Sequence, residues 1–192
     1  VPFPLGHREK SFPILGADGL VDITDGINKA VLPDLNIRIA DEKIPPGSMR
    51  LEPQIYKEGV VFEQNGVTVT AIEVDHGDLV KPAFAFRVDY QGRTFVHSHD
   101  TRFCQNLVDQ AAGADLFIHE VAAANPEALA TSPKIQRIIG HHITPDLLGH
   151  VFRDVSPKLA VLTHIIRYPP DPPPLEDIVA QVCATYDGEL EI

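Results

Sequence analysis

Apolar residues recur at helical spacing at Leu20, Ile23, Ile27 and Val31, which predicts an amphipathic helix over residues 17–31. Pro33 and the Pro45-Pro46-Gly47 cluster mark loops on either side of a short expected strand at 37–39. Residues 1–5 have neither cap nor periodicity and read as a loop, and His7 belongs with them. Further on, the period shortens to two. Strands are expected at 54–56 and 60–63, and Asn65-Gly66, a strong hairpin signal, leads into a third at 67–74. A second hairpin follows from 83–90 through Gln91-Gly92 to 93–96.

Beyond Asp100 the pattern alternates between the two periods. A helix is expected over 101–112 and a buried strand at 116–118. Thr144-Pro145 is an N-cap followed by proline at the first helical position. Its helix carries Leu147, Leu148, Val151, Phe152 and Val155 on one face. A buried strand at 159–162 and a helix with Leu175, Ile178, Val179 and Val182 inward come next, and 189–192 closes a sheet edge. Strands first, then helix–strand units, predict an α/β fold with a sheet covered by helices.

Composition sharpens this picture. With 192 residues, 44% of them hydrophobic and 22% charged, the chain can bury one core. We therefore expect a single domain over 1–192, with a leading helix and loops in 1–50 and the core that carries the site in 51–192. The net charge of -11 opposes non-specific binding to nucleic acid. It leaves phosphoesters open at a metal site, where a bound cation dominates the local field. Cys104 and Cys183 lack any ligand spacing and read as reduced thiols, the cytoplasmic expectation. No apolar run is long enough to span a bilayer, and no membrane role is expected. The chain starts at Val1 and its one methionine is Met49, so it is expected to be part of a longer or processed polypeptide.

The candidate chemistry is positional. Three expected strands each run into a metal-competent side chain: 67–74 into His76, 94–96 into Asp100, and 159–162 into His164. Loops converge at the carboxyl ends of strands, and imidazoles with a carboxylate suit Zn²⁺. Singly, His76 is equally compatible with a turn residue, Asp100 with a helix N-cap, and His164 with a hydrogen-bonded core histidine. Together they point to a metal site.

The succession Val74-Asp75-His76-Gly77, Ser98-His99-Asp100-Thr101-Arg102, Ile118-His119-Glu120, His142-Ile143-Thr144-Pro145 and Leu162-Thr163-His164-Ile165 resembles metallo-β-lactamase-fold hydrolases of the ribonuclease Z-like and arylsulfatase-like branch. The Pro13–Leu20 stretch is similar to that family's opening strand-to-helix turn. The resemblance implies a metallo-β-lactamase-like αβ/βα sandwich with its N-terminal part lying outside this chain. It implies His76 as a ligand of a first Zn²⁺, Asp100 as a bridge and His164 as a ligand of a second. His142 would contact the scissile group and help protonate the leaving group, oriented by Glu120. The implied reaction is attack of a metal-bound hydroxide on a phosphodiester or related ester, with transfer-RNA 3′ processing as the alternative.

Three departures qualify that expectation. The family's HxHxDH motif occurs nowhere in the chain, so one cation or none, rather than two, is also compatible, as is a domain acting by association. We expect a homodimer or association with a segment that bears the motif. His97-Ser98-His99 has the HxH spacing and overlaps the Asp100 motif; it reads either as an added imidazole near the metal or as a tolerated substitution of a glycine. Between His76 and Asp100 there is room for one hairpin only and none for a long RNA-binding arm, which favours a small-molecule or nucleotide ester. Expected roles elsewhere are structural: His119 buried beneath the site, His141 facing solvent, His150 on the outer face of its helix, and Arg167 either lining a pocket or pairing structurally.

Overall fold

A computed structural model describes residues 10–192, so the expectations for residues 1–5 and for His7 lie outside it. The chain divides after Lys57 into two compact units.

In the first unit, β1 (Phe12–Gly16) pairs in parallel with β2 (Leu51–Ile55), and α1 (Leu20–Asp41) connects them. The helix is longer than its periodicity predicts. It runs through Pro33 and absorbs the expected strand at 37–39. Past the proline, Leu35 is buried, and Arg38 bonds Asp34 and Glu42 one turn to either side, at 2.9 Å each. The expected stripe is only partly right, because the buried positions are Thr24 and Leu35, while Ile23 and Ile27 are exposed. Asn28 fastens the helix to β2, donating to the Leu51 carbonyl and accepting from its amide, both at 3.0 Å.

The second unit is a seven-stranded mixed sheet in simple sequential order. An antiparallel meander comes first: β3 (Gly59–Gln64), β4 (Val67–Val74), β5 (Ala83–Tyr90) and β6 (Arg93–His97). Both hairpins use left-handed turn residues, Asn65 and Gly66 at φ 54° and 78°, then Gln91 and Gly92 at 49° and 73°. From β6 the pairing turns parallel through β7 (Leu116–Ala124), β8 (Leu159–Tyr168) and β9 (Leu190–Glu191). Parallel neighbours need crossovers. These are α2 (Gln105–Ala111), then α3 (Pro126–Thr131), α4 (Pro133–Ile139) and α5 (Pro145–Val155), then α6 (Leu175–Cys183). The apolar period does not predict α3 and α4, although each opens on a cap and proline, Asn125-Pro126 and Ser132-Pro133.

The core includes Ile72, Val96 and Phe117 from the sheet, with Leu107, Leu148, Phe152 and Ile178 from α2, α5 and α6. Leu148, Val151, Phe152 and Val155 face inward as the period predicts, whereas Leu147 is exposed. At the opposite end from the site, Asp115 ties the starts of three parallel strands together. It accepts from the Thr94 amide, Arg93 and Lys158 at 2.8, 2.8 and 2.6 Å. Lys158 above all, then the Thr94 amide and Arg93, hold its carboxyl well below the usual carboxylate range.

Candidate metal centre

Strand direction assembles the site. β4 and β6 are each antiparallel to β5 and so run the same way, and β7 and β8 are parallel to β6. The carboxyl ends of all four therefore point to one rim of the sheet, where functional loops favour collecting. His76 follows β4 and Asp100 follows β6, as the sequence predicts. Asp100 does not cap a helix, since α2 begins only at Gln105.

His164 arrives differently. β8 does not stop at Leu162 but continues to Tyr168, and His164 is the extra residue of a bulge: Thr163 pairs with Glu120 and Ile165 with Val121. Its φ of 41° is left-handed. A bulge of this kind re-aims one side chain.

The side chains meet. The two carboxylate oxygens of Asp100 address different imidazoles, Oδ2 lying 4.0 Å from His76 Nε2 and Oδ1 3.5 Å from His164 Nε2. The ligand-competent atoms of Asp100, His142 and His164 all lie within 4.8 Å of one another. The His142 ring adjoins both other imidazoles, its centroid 5.2 Å from that of His76 and 5.8 Å from that of His164. His76 Nδ1 is 2.9 Å from the His141 carbonyl oxygen. A carbonyl can only accept, so Nδ1 donates and Nε2 is the ring atom turned toward Asp100. Histidines that bind metals are oriented in this way.

These residues fit a divalent cation: they supply borderline donors, a fixed tautomer and a partly open face, with His164 and Asp100 about half exposed. Asp100 with either His76 or His164 gives two ligands per side, fewer than the three or four that Zn²⁺ takes from protein.

Glu120 lies under this cluster with its side chain fully buried. Oε1 accepts from the amides of Ile143 at 3.1 Å and Thr101 at 3.3 Å, joining the loop after His142 to the loop after Asp100. Oε2 faces His142 Nδ1 at 3.2 Å, off the hydrogen-bond axis, and neither atom has another polar partner among the described residues. Burial would depress the His142 pKa, but the Glu120 carboxylate, helped by Asp100, overrides it, and the net shift is upward.

Other histidines sort themselves around the cluster. His119 is buried among Phe117 and Phe152 with Nδ1 on the Glu120 carbonyl at 2.8 Å, and burial pushes its pKa down to about 4. His141 is half-buried rather than solvent-facing, its ring packed on Gly77. Gly77 has φ 97°, and a Cβ there would come within 3.0 Å of the His141 ring, so glycine is required on both counts. His97 and His99 pair with each other, the His99 amide donating to His97 Nδ1 at 3.0 Å, and neither belongs to the cluster of Asp100, His142 and His164. His99 has φ 51°, the conformation that makes glycine the easier residue at that position. Arg167 donates to the Pro173 carbonyl at 2.7 Å, a structural pairing.

Sequence reasoning missed the loop clamp beside His76. The Arg102 amide donates to the Asp75 carbonyl at 2.8 Å, and Arg102 Nε lies 2.8 Å from Asp75 Oδ2. The Arg102 hydrogen bond, and further partners including the Gly77 amide, pull the Asp75 pKa down.

Comparisons with known proteins bear on the family and the fold. A family profile described as the beta-lactamase superfamily domain matches residues 21–165. Ribonuclease Z of Mycobacterium avium (strain 104) is 29% identical over 157 residues, 80% of this chain and 55% of that protein. A putative ribonuclease Z of Mycobacterium tuberculosis (strain CDC 1551 / Oshkosh) is 27% identical over 184 residues, 94% of this chain and 80% of that protein. The chain thus spans about half the length of the first of these relatives. Among solved structures, the metallo-β-lactamase fold protein YhfI from Bacillus subtilis superposes with a TM-score of 0.64 at 14% identity, over 95% of this chain and 62% of that one. Human tRNase Z, short form, gives 0.52 at 17%, over 82% and 61%. With the profile spanning more than half of its length, the chain belongs to the beta-lactamase superfamily and has the metallo-β-lactamase fold.

Proposed function

We propose that this chain carries the metal-bridging and leaving-group side of a Zn²⁺-dependent hydrolase that cleaves a phosphodiester or related ester. The observation that carries the reading is the placement of Asp100, with one carboxylate oxygen toward His76 and the other toward His164, beside a buried His142–Glu120 pair. Asp100 would bridge, with His76 and His164 as ligands on either side. A bound Zn²⁺ supplies an activated water and polarises the ester oxygen. His142 donates the proton to the leaving oxygen. Glu120 keeps a proton on Nδ1 and stabilises the imidazolium, and the raised pKa leaves more of the acid form near neutrality. The fully buried Glu120 and the 8% exposure of the His142 side chain keep bulk water from replacing that donor.

A second reading, cleavage of RNA as in transfer-RNA 3′ processing, is supported by the relatives named ribonuclease Z and by the human tRNase Z fold match. The net charge of -11 weighs against a large nucleic-acid footprint and leaves the smaller ester as the first choice. Cys104 and Cys183 are free thiols, which supports a reducing, cytoplasmic setting.

The test pairs elemental analysis with hydrolysis of bis(p-nitrophenyl) phosphate and of a precursor tRNA carrying a 3′ trailer. His164→Ala is expected to lose metal. His142→Ala is expected to keep it while kcat falls by roughly 10²–10⁴-fold. A fully metallated protein that cleaves no ester overturns the reading, and cleavage confined to the tRNA selects the second one.

A further inference from the structure

His76 and Asp100 lie on two loops that follow different strands, so their separation is not set by strand pairing. Three contacts on Asp75 join those loops, one from Arg102 reaches Asp78, and a Gly77 bond braces Asp75 within its own loop. Its carbonyl accepts from the Arg102 amide at 2.8 Å. Its amide donates to Thr101 Oγ1 at 3.2 Å. Its carboxylate meets Arg102 Nε at 2.8 Å through Oδ2 and the Gly77 amide at 3.1 Å through Oδ1. Arg102 Nη2 also reaches Asp78 Oδ1 at 3.4 Å, beyond His76 on the same loop. The residues flanking His76 are thereby fastened to the residues just after Asp100. Thr101 completes the link, because its own amide is anchored on the buried Glu120 at 3.3 Å.

We propose that Asp75 and Arg102 are positioning residues: their ion pair sets the spacing of His76 from Asp100, and metal binding depends on it. The inference rests on the metal reading above. It differs from an ordinary structural role in a measurable way. The Asp75 and Arg102 side chains are 38% and 40% exposed, and exposed ion pairs contribute little to global stability. A purely structural pair would leave both stability and metal affinity nearly unchanged when removed. A clamp leaves stability nearly unchanged but loosens the ligands, and groups that orient metal ligands are worth roughly 10–100-fold in affinity.

The experiment uses Arg102→Ala, Asp75→Asn and Arg102→Lys in the whole chain. Co²⁺ affinity is measured by chelator competition, site geometry by the visible d–d absorption of the Co²⁺ protein, and folding by thermal melts without metal. Arg102→Ala and Asp75→Asn should bind Co²⁺ roughly 10–100-fold more weakly, with an altered spectrum and a nearly unchanged melt. Arg102→Lys keeps the charge and should recover most of the affinity. If Arg102→Ala does not fold, the other two variants carry the comparison. The metal-free protein gives an independent readout from the imidazole ¹H–¹⁵N spectrum. The wild-type His76 should show a single Nδ1–H tautomer, and Arg102→Ala or Asp75→Asn should lose it. A wild type that binds no Co²⁺ would sink the metal reading while this second readout still tests the clamp. Wild-type affinity and spectrum in both variants, or an unchanged His76 tautomer, would overturn the proposal.

Discussion

Replacing Glu120 by alanine and by glutamine separates two tasks performed by one buried carboxylate. Oε1 accepts from the amides of Thr101 and Ile143, at residues 0% and 1% exposed, so no solvent can substitute when that acceptor is removed. An unsatisfied buried amide costs about 1–3 kcal/mol, so Glu120→Ala should destabilise by about 2–6 kcal/mol from the two amides, before any cavity term. Glu120→Gln keeps an oxygen for both amides and should stay within about 1–2 kcal/mol of wild type. Urea unfolding of the metal-free protein, followed by far-ultraviolet circular dichroism, reads that difference. The second task is electrostatic. In the wild type, the upward shift of the His142 pKa adds stability that is complete below its unfolded value and lost as pH rises through the folded value. Glutamine leaves the burial but removes the charge, so the His142 pKa should fall below the ordinary histidine range, as read by its Hε1 resonance against pH. Alanine within about 1 kcal/mol of wild type, or a His142 titration unchanged in the glutamine variant, would refute the reasoning.

Two further outcomes follow from the core. His119 is buried and neutral with a pKa of about 4 against an ordinary 6.5, so the folded state binds fewer protons than the unfolded one between those values. Its contribution is present above about pH 6.5 and lost as pH falls toward about 4, roughly 3 kcal/mol in all. Urea midpoints across that range should fall more steeply for the wild type than for His119→Gln, and equal slopes would contradict the assignment. At Gly149 on α5, an added Cβ would strike the Val182 carbonyl oxygen of α6 and Thr185 Oγ1 just beyond it. Gly149→Ala should therefore destabilise by about 1–3 kcal/mol despite alanine's better helix propensity. A rise in melting temperature would mean that the helices part freely.

The separation between what was legible and what was not follows the range of the interactions. Asn65-Gly66 and Gln91-Gly92 determined their hairpins because a two-residue turn needs only its own left-handed conformations. The inward face of α5 was legible because helical period is a property of consecutive residues. His76 and Asp100 were legible for a similar reason, as each follows a strand whose apolar run stops just before it.

Where partners distant in sequence decide the outcome, local pattern fails. Whether the stretch past Pro33 is buried, as Leu35 is, is not written in the local period of α1. His164 looks like a strand-end residue, yet β8 continues past it because β7 offers pairing as far as Ala124, and the mismatch is absorbed as a bulge at the histidine. His142 and Glu120 came from resemblance to a family, not from spacing, and only the fold brings them to 3.2 Å in the interior. The clamp of Asp75 on Arg102 had no signature at all in the sequence. Its two residues lie on loops that meet only when β4 and β6 are aligned through β5. Sequence thus determined most of the sheet's strands, the longer helices of the second unit and the kinds of donor atoms. Tertiary structure decided their distances, because a metal site is a set of contacts between strands and not a property of any one of them.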